Sequence, residues 1–492
     1  MHYNGAKASI VEVAVSDLDG MYRNQTMAAY DLPRPKPEVI AIVRDSLVER
    51  LGPRISTTQA IREQHSHGEG LPAVGMPDLV AFPENNDEVA FILALCNAHR
   101  VPIVPFGAGS SLEGQVAALA GGISLDMNRF DKVLQISSEA LDCRVQAGVT
   151  REALNAHIRD IGLFFPVDPG ANASIGGMAS TRASGTNAVR YGTMRENVLG
   201  LTVITPDGRI VRTGSRARKS SAGLDLTHVY IGSEGTLGVI TEIQLKLSGV
   251  PESIMAAVCQ FPSLEGAIGA VVTALQTNLK LARVELLDEV QMHAAIRYSG
   301  LDYFEVPTLF LEFHGTPNST REEVELMQTI ASDHGGGGFL FAQRPEDRNR
   351  LWKARHNSYQ AVMALAPGKA NMGTDACVPI SALPACLLET KADILASGLM
   401  APIVGHVGDG NFHLGILFDP NDAEETARAE ALAFRTARRA IGFGGTCSGE
   451  HGVGLHKIAH METEHGEGIA LMKSLKSALD PNGIMNPGKI YP

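Results

Sequence analysis

The sequence predicts an α+β fold of two principal domains, and three observations lead there. The chain has 492 residues, beyond the size at which a single core keeps growing, so cooperating domains are expected. Up to about Pro251, short buried strands alternate with capped helices and glycine-rich loops. From Ile254 to about Gly445 a second pattern of strands and helices follows.

Taken in order, residues 1–55 mix charge with proline and hold one helical pattern over 37–51, which marks them as an N-terminal accessory segment. A ligand-binding domain spans 56–252. In it, Asp87 is placed to cap a helix over EVAFILALCNAH, 101–105 reads as a buried strand, and a Gly/Ser loop follows. Strands are expected at 123–127, 133–136 and 144–147, after which Thr150 caps a second helix. Between 170 and 187, 13 of 18 residues are Gly, Ala, Ser or Thr, while the flanks are rich in core residues, so this is a specialised loop rather than a linker. Pro206-Asp207-Gly208 turns the chain between strands at 201–204 and 210–212, and 236–247 reads as a further strand. The second domain, 253–454, carries strands at 308–313 and 401–418 and helices at 321–333 and 423–441. A helical tail, 455–492, ends in NGIMNPGKIYP and is expected to pack back on the first domain.

Composition narrows the function classes. Apolar residues make up 44% and charged residues 20%, an ordinary globular balance. A net charge of −12 gives no footprint for nucleic acid or anionic membrane, which need clustered Lys and Arg. The cysteines Cys96, Cys143, Cys259, Cys377, Cys386 and Cys447 form no C-x-x-C pair, which fits a reducing compartment. The first residues hold Glu12, Asp17 and Asp19 and no apolar core of a signal peptide, and no apolar run reaches membrane-span length. A cytoplasmic protein is expected, with any membrane contact peripheral and at the inner face.

Phosphates need converging backbone N–H groups with no side chain in the way. Two segments qualify: PFGAGSSLEG (105–114) and 170–187. The first fails as a dinucleotide fingerprint, because Leu112 stands where the third Gly or Ala belongs. Gly483, Gly488 and Lys489 imitate a P-loop, but Ile490 supplies no hydroxyl and no helix can follow.

His406 and His413 flank Asp409-Gly410 in GHVGDGNFH. If Asp-Gly is a two-residue turn, the two histidines lie directly across a hairpin, with Cβ atoms about 4.5–5.5 Å apart. Such a pair either shares a metal or hydrogen-bonds to itself. Glu450, in the glycine-rich loop 446–454, is a candidate third ligand, and nitrogen and oxygen donors suit Zn²⁺ or Mn²⁺ without choosing between them. Taken alone, His451 is a loop histidine. Arg355 belongs to the helix RLWKARHNSYQAVMA, whose buried stripe is expected to be Leu351, Tyr359 and Met363.

The loops PFGAGSSLEG and FPVDPGANASIGGMASTRASGTNAVRYGTMRENVLGL, followed by IGSEGTLGVIT, resemble the FAD-binding domain of the vanillyl-alcohol oxidase superfamily, FAD-binding oxidase/transferase type 4. The runs RLWKARHNSY, TDACVPIS, GHVGDGNFH, GTCSGEHGVG and MNPGK resemble its cytochrome-type D-lactate dehydrogenase branch. The similarity extends from about Pro77 to Lys489.

The resemblance implies a two-lobed FAD domain of the p-cresol methylhydroxylase (PCMH) type under an α+β cap. The pyrophosphate would rest on Gly107, Ala108, Gly109, Ser110 and Ser111, which follow Pro105. From the second loop it would meet Gly176, Gly177, Ser180, Gly185 and Thr186, preceded by Pro169, Gly170 and Ser174. Glu234, Gly235, Gly238 and Ile240 would line the adenosine and ribityl side, and Asn486 joins the cofactor set. Members that bind flavin covalently through the first loop place a His where this chain has Ser110, so non-covalent FAD is expected.

By the same resemblance His406, His413 and Glu450 are metal ligands, His451 is the general base and Arg355 grips the substrate carboxylate. The implied reaction oxidises a small D-2-hydroxy acid, with proton transfer to His451 and hydride transfer to flavin N5. Relatives acting on D-2-hydroxyglutarate pair its second carboxylate with a Lys, and here that position is Gly373, with Lys369 four residues upstream. D-lactate and similar monocarboxylates are therefore expected substrates, D-2-hydroxyglutarate or glycolate the alternatives within the superfamily. Cytochrome c, a quinone or an electron-transfer flavoprotein would take the electrons, and a homodimer is the expected assembly. Two other classes stand against this: a metal-dependent hydrolase, which would have no use for two phosphate-type loops, and a non-catalytic FAD-binding or electron-transfer subunit, which would have lost the catalytic set.

Overall fold

Residues 32–70 and 75–492 are described by the structure, a computed structural model. Most of the accessory segment therefore lies outside the described residues. The part that is described is the Pro37–Leu51 helix, and it is built into a core: Val43, Leu47 and Leu51 pack with Val89, Ile92, Leu93 and Cys96 of the Asn86–His99 helix. Both helices cover a four-stranded sheet in the order Ile55–Ser56, Leu79–Ala81, Ile123–Asp126, Ile103–Phe106, parallel among its last three strands. Parallel strands need cover on both faces, and every residue of Ile123–Asp126 is buried. The tail returns to this lobe, where Ile103 N donates to Ile484 O and Asn486 N to Ile103 O, each at 2.8 Å.

The Asn86–His99 helix is capped by Asn85, not by Asp87. Asn85 has extended backbone, and its side chain accepts from Glu88 N at 3.0 Å. Asp87 lies inside the first turn, where a carboxylate complements the positive helix end without capping it. Thr150 does cap the Arg151–Ile158 helix, accepting from Ala153 N at 3.3 Å.

A second lobe holds a five-stranded antiparallel sheet in the order Val133–Ser137, Asp142–Gln146, Val239–Lys246, Val198–Ile204, Ile210–Gly214. Over it stands a larger antiparallel sheet, whose central strands run Ser253–Gln260, Thr308–Gly315, Leu281–Leu287, Ile403–Gly405, Asn411–Phe418. Helices Leu264–Gln276, Pro317–Asp333, Leu383–Ser397 and Ala423–Gly442 share its core. Leu281–Leu287 escapes the sequence pattern because LARVELL puts Arg283 and Glu285 in a buried strand. Alternation places those two on one face.

Two local expectations are overturned. The 345–365 region is not one helix but two, Pro345–His356 and Ser358–Leu365, meeting at Asn357. Leu351 is buried, whereas Tyr359 is 63% exposed, so Leu351, Tyr359 and Met363 form no common stripe: the break at Asn357 resets the helical register. The histidine hairpin is also differently registered. His413 lies across from Val404, not His406. The chain turns through 406–410, with Asp409 N and Asn411 N both donating to His406 O, so the turn is longer than two residues.

Candidate active site

The two lobes and the cap enclose a cavity of about 1010 Å³. Both glycine loops line it, as do Glu234, Gly235, Gly238, Ile240 and Asn486. So do Arg355, His406, His413, Glu450 and His451. Every residue singled out above for the cofactor, the metal or the reaction faces this one space.

The first loop leaves the Ile103–Phe106 strand and turns at Gly109, whose φ is +72°. A Cβ there would sit 2.8 Å from the Phe106 ring, and one on Gly107 would sit 2.4 Å from Ser174 Oγ. Glycine thus lets the two loops close on each other. Ser111 Oγ is buried without a hydrogen-bond partner among the described residues. A buried hydroxyl is normally satisfied, so this orphan donor is what a phosphate oxygen in the cradle would meet. Ser180 and Thr186 differ: their hydroxyl protons already go to Gly176 O at 2.8 Å and Asp168 Oδ2 at 2.7 Å. Asp168 also accepts from Asn187 N at 2.9 Å and Arg283 at 3.2 Å, which ties the second loop to the cap.

Lining the same cavity, the imidazoles of His406 and His413 meet edge to face, with centroids 5.4 Å apart. Their Nε2 atoms lie 3.1 and 3.4 Å from the same oxygen, Glu450 Oε1, and the three ligand atoms are all within 4.8 Å of one another. The opposite nitrogens are held from behind: His406 Nδ1 by Glu285 Oε1 at 2.6 Å and His413 Nδ1 by the Thr374 carbonyl at 3.0 Å. Fixing Nδ1 in this way aims Nε2 inward, the usual outer arrangement around a metal-bound histidine. The residues fit a divalent cation. Burial would lower His406, but Glu285 and then Glu450 hold it well above its ordinary range; burial would raise Glu450, but His406 and then His413 hold it well below.

Arg355 donates through Nε to Glu285 Oε2 at 2.6 Å, so Glu285 joins the guanidinium to the histidine pair. His451 stacks on His413 with ring centroids 5.2 Å apart and planes 10° from parallel. Asp375 Oδ2 accepts from both Glu450 N and His451 N at 2.8 Å. From the lobes, Glu234 accepts from Val453 N at 2.7 Å and Gly454 N at 2.8 Å, and burial pushes its carboxyl up to about 7. Glu234 therefore anchors the loop after His451 while lining the cofactor space.

Glu285, Asp375 and Arg283 were not singled out from the sequence. Asp375 lies in the quoted run TDACVPIS, but nothing local marks its acceptor role; Glu285 and Arg283 sit on the unrecognised strand. Gly373 is exposed and Lys369 pairs with Glu425. Neither lines the cavity, whose arginines among the described residues are Arg151, Arg283 and Arg355. Among the described residues no helix is long and apolar enough to cross a membrane.

Family models and relatives match this architecture part by part. An FAD binding domain matches residues 77–214, and the C-terminal domain of FAD linked oxidases matches 250–490. A Danio rerio protein named probable D-lactate dehydrogenase, mitochondrial, is 50% identical over 89% of this chain and 88% of its own length. An Arabidopsis thaliana protein named D-lactate dehydrogenase [cytochrome], mitochondrial, is 46% identical over 87% of this chain and 77% of its own. Among solved structures, 4-ethylphenol oxidase from Gulosibacter chungangensis superposes with a TM-score of 0.74 at 17% identity, covering 93% of this chain and 98% of that one. That likeness concerns the fold.

Proposed function

We propose that this chain, which belongs to the FAD-linked oxidases, oxidises D-lactate and similar D-2-hydroxy monocarboxylic acids to 2-oxo acids. FAD is held without a covalent bond, and His406, His413 and Glu450 hold a divalent ion, Zn²⁺ or Mn²⁺. The observation that carries the reading is the single cavity in which the glycine loops of the lobes face Arg355, His451 and the His406/His413/Glu450 cluster of the cap.

The chain's own residues divide the work. Arg355, braced through Nε by Glu285, presents its remaining N–H groups to the substrate carboxylate. His451, held flat against His413, takes the α-hydroxyl proton. When bound, the flavin supplies the hydride acceptor and the divalent ion polarises the hydroxyl. A second substrate carboxylate would need its own cation. Arg283 is engaged with Asn187 and Asp168, Arg151 lies 3.5 Å from Glu152, and Lys369 pairs with Glu425 outside the cavity. Leaving a buried carboxylate unpaired costs several kcal/mol, which favours monocarboxylates over D-2-hydroxyglutarate.

The test is the visible spectrum of the purified protein without oxygen. Flavin bands should bleach on adding D-lactate, more slowly at equal concentration with D-2-hydroxyglutarate, and not with L-lactate. A colourless protein, or bands indifferent to D-lactate, would sink the proposal. Faster bleaching by the dicarboxylate would move the chain to the hydroxyglutarate branch. Electrons would then pass to a cytochrome, a quinone or an electron-transfer flavoprotein, which trials with each acceptor distinguish. Cell fractionation decides between the cytoplasm and the mitochondrial location in the two relatives' names.

A further inference from the structure

Beside His451 lies a buried charged cluster that the reaction as described does not use. Glu113, from the first glycine loop, is 6% exposed. Its Oε1 lies 2.9 Å from Lys457 Nζ and 3.4 Å from His451 Nδ1, and its Oε2 lies 3.5 Å from His456 Nδ1. Lys457 is itself buried and reaches Ser448 Oγ at 3.1 Å and Asp375 Oδ2 at 3.4 Å. Gln115, two residues on, donates to the His451 carbonyl at 2.7 Å and accepts from Glu113 N at 2.9 Å. Ring and backbone of His451 are thus both met by the loop that forms the phosphate cradle.

A neutral imidazole carries one proton, and a carboxylate facing Nδ1 draws it there, which leaves the lone pair on Nε2. Without that carboxylate the other tautomer becomes accessible and the ring is free to turn. A lone carboxylate buried at this depth would be costly; Lys457 offsets the cost, and with His451 and His456 it holds Glu113 well below the usual carboxylate range against burial, which acts the other way. We propose that Glu113, anchored by Lys457, is a positioning residue that sets the tautomer and orientation of His451. The inference rests on reading His451 as the base. It also means that the first loop, beyond cradling phosphate, orients the proton acceptor on the opposing domain.

The experiment compares Glu113→Gln, His451→Ala and the double variant, each as the flavin-loaded protein. Glutamine is isosteric but uncharged: the oxygen that meets both Lys457 and His451 Nδ1 is Oε1, and an amide oxygen there draws the Nδ1 proton more weakly than a carboxylate does. Glu113→Gln should keep its FAD content and melting temperature, slow anaerobic flavin reduction at saturating D-lactate by roughly 10- to 100-fold, and leave the half-saturating D-lactate concentration within about twofold. Histidine ¹⁵N NMR should show the Nδ1-protonated form of His451 less populated in this variant than in the parent. In the His451→Ala background the same change should cause no further loss, because both act through one group. Parent-like reduction by Glu113→Gln while His451→Ala is slow overturns the positioning role and leaves the base standing. Parent-like reduction by His451→Ala removes the base reading and this inference with it. Additive losses, an unchanged tautomer, or loss of FAD in Glu113→Gln each overturn the inference alone.

Discussion

Glu285 is the residue that joins Arg355 to His406, the proposed carboxylate grip to a proposed metal ligand. It is fully buried, and its two oxygens take Arg355 Nε and His406 Nδ1, each at 2.6 Å. Burial would raise this carboxyl, but His406 and then Arg355 hold it below the usual range. A partner of this kind behind a ligating histidine is typically worth 10- to 100-fold in metal affinity. Glu285→Gln keeps the shape and loses the charge. It should release its metal at a chelator concentration roughly 10- to 100-fold lower than the parent does, measured as metal content after dialysis. Metal retention equal to the parent's would show that Glu285 serves Arg355 alone. Nothing in LARVELL announces this role, since a Glu flanked by Val and Leu reads as the polar face of a strand.

At the scale of elements, the hairpin shows how the two histidines converge although the register differs from the simple one. The offset is two residues, Val404 rather than His406 across from His413, and a shift of two preserves which face a side chain occupies. The longer 406–410 turn then lets His406 lean back towards its partner. Its tightest point is Gly410, where φ is +78° and a Cβ would sit only 2.0 Å from the Val378 carbonyl oxygen. Gly410→Ala should destabilise the protein by about 1–3 kcal/mol and loosen the metal more than the flavin. Thermal melting and separate metal and flavin stoichiometries test this. A parent-like melt with full metal occupancy would show that the turn adapts.

At the scale of the whole molecule, the residues proposed for the flavin come from the lobes and those proposed for the metal from the cap, and both sets line one cavity. Stripping the metal should therefore abolish flavin reduction while FAD stays bound, and subsequent acid precipitation should release all the flavin to the supernatant. Flavin lost with the metal would mean that lobes and cap fold as one unit, and flavin in the pellet would mean a covalent bond. Lobes and cap are joined by specific contacts: Arg283 of the cap reaches Asn187 Oδ1 at 2.9 Å and Asp168 at 3.2 Å, and Glu234 and Gln115 of the lobes hold the loop around His451.

What the sequence by itself determined is what short-range chemistry dictates: an α+β chain, two glycine loops able to approach phosphate, Thr150 as a cap and the Pro37–Leu51 helix. With the family resemblance it also picked out His406, His413, Glu450, His451 and Arg355, which the fold brings to one cavity. Only the tertiary structure decided which groups stand behind them. Glu285, Asp375, Glu113 and Lys457 are charged side chains that act while buried, each brought beside its partner from a distant part of the chain. A local pattern ranks a charged residue as solvent-facing, because burial is costly until a partner is present, and partners far apart in sequence meet only when the chain has folded.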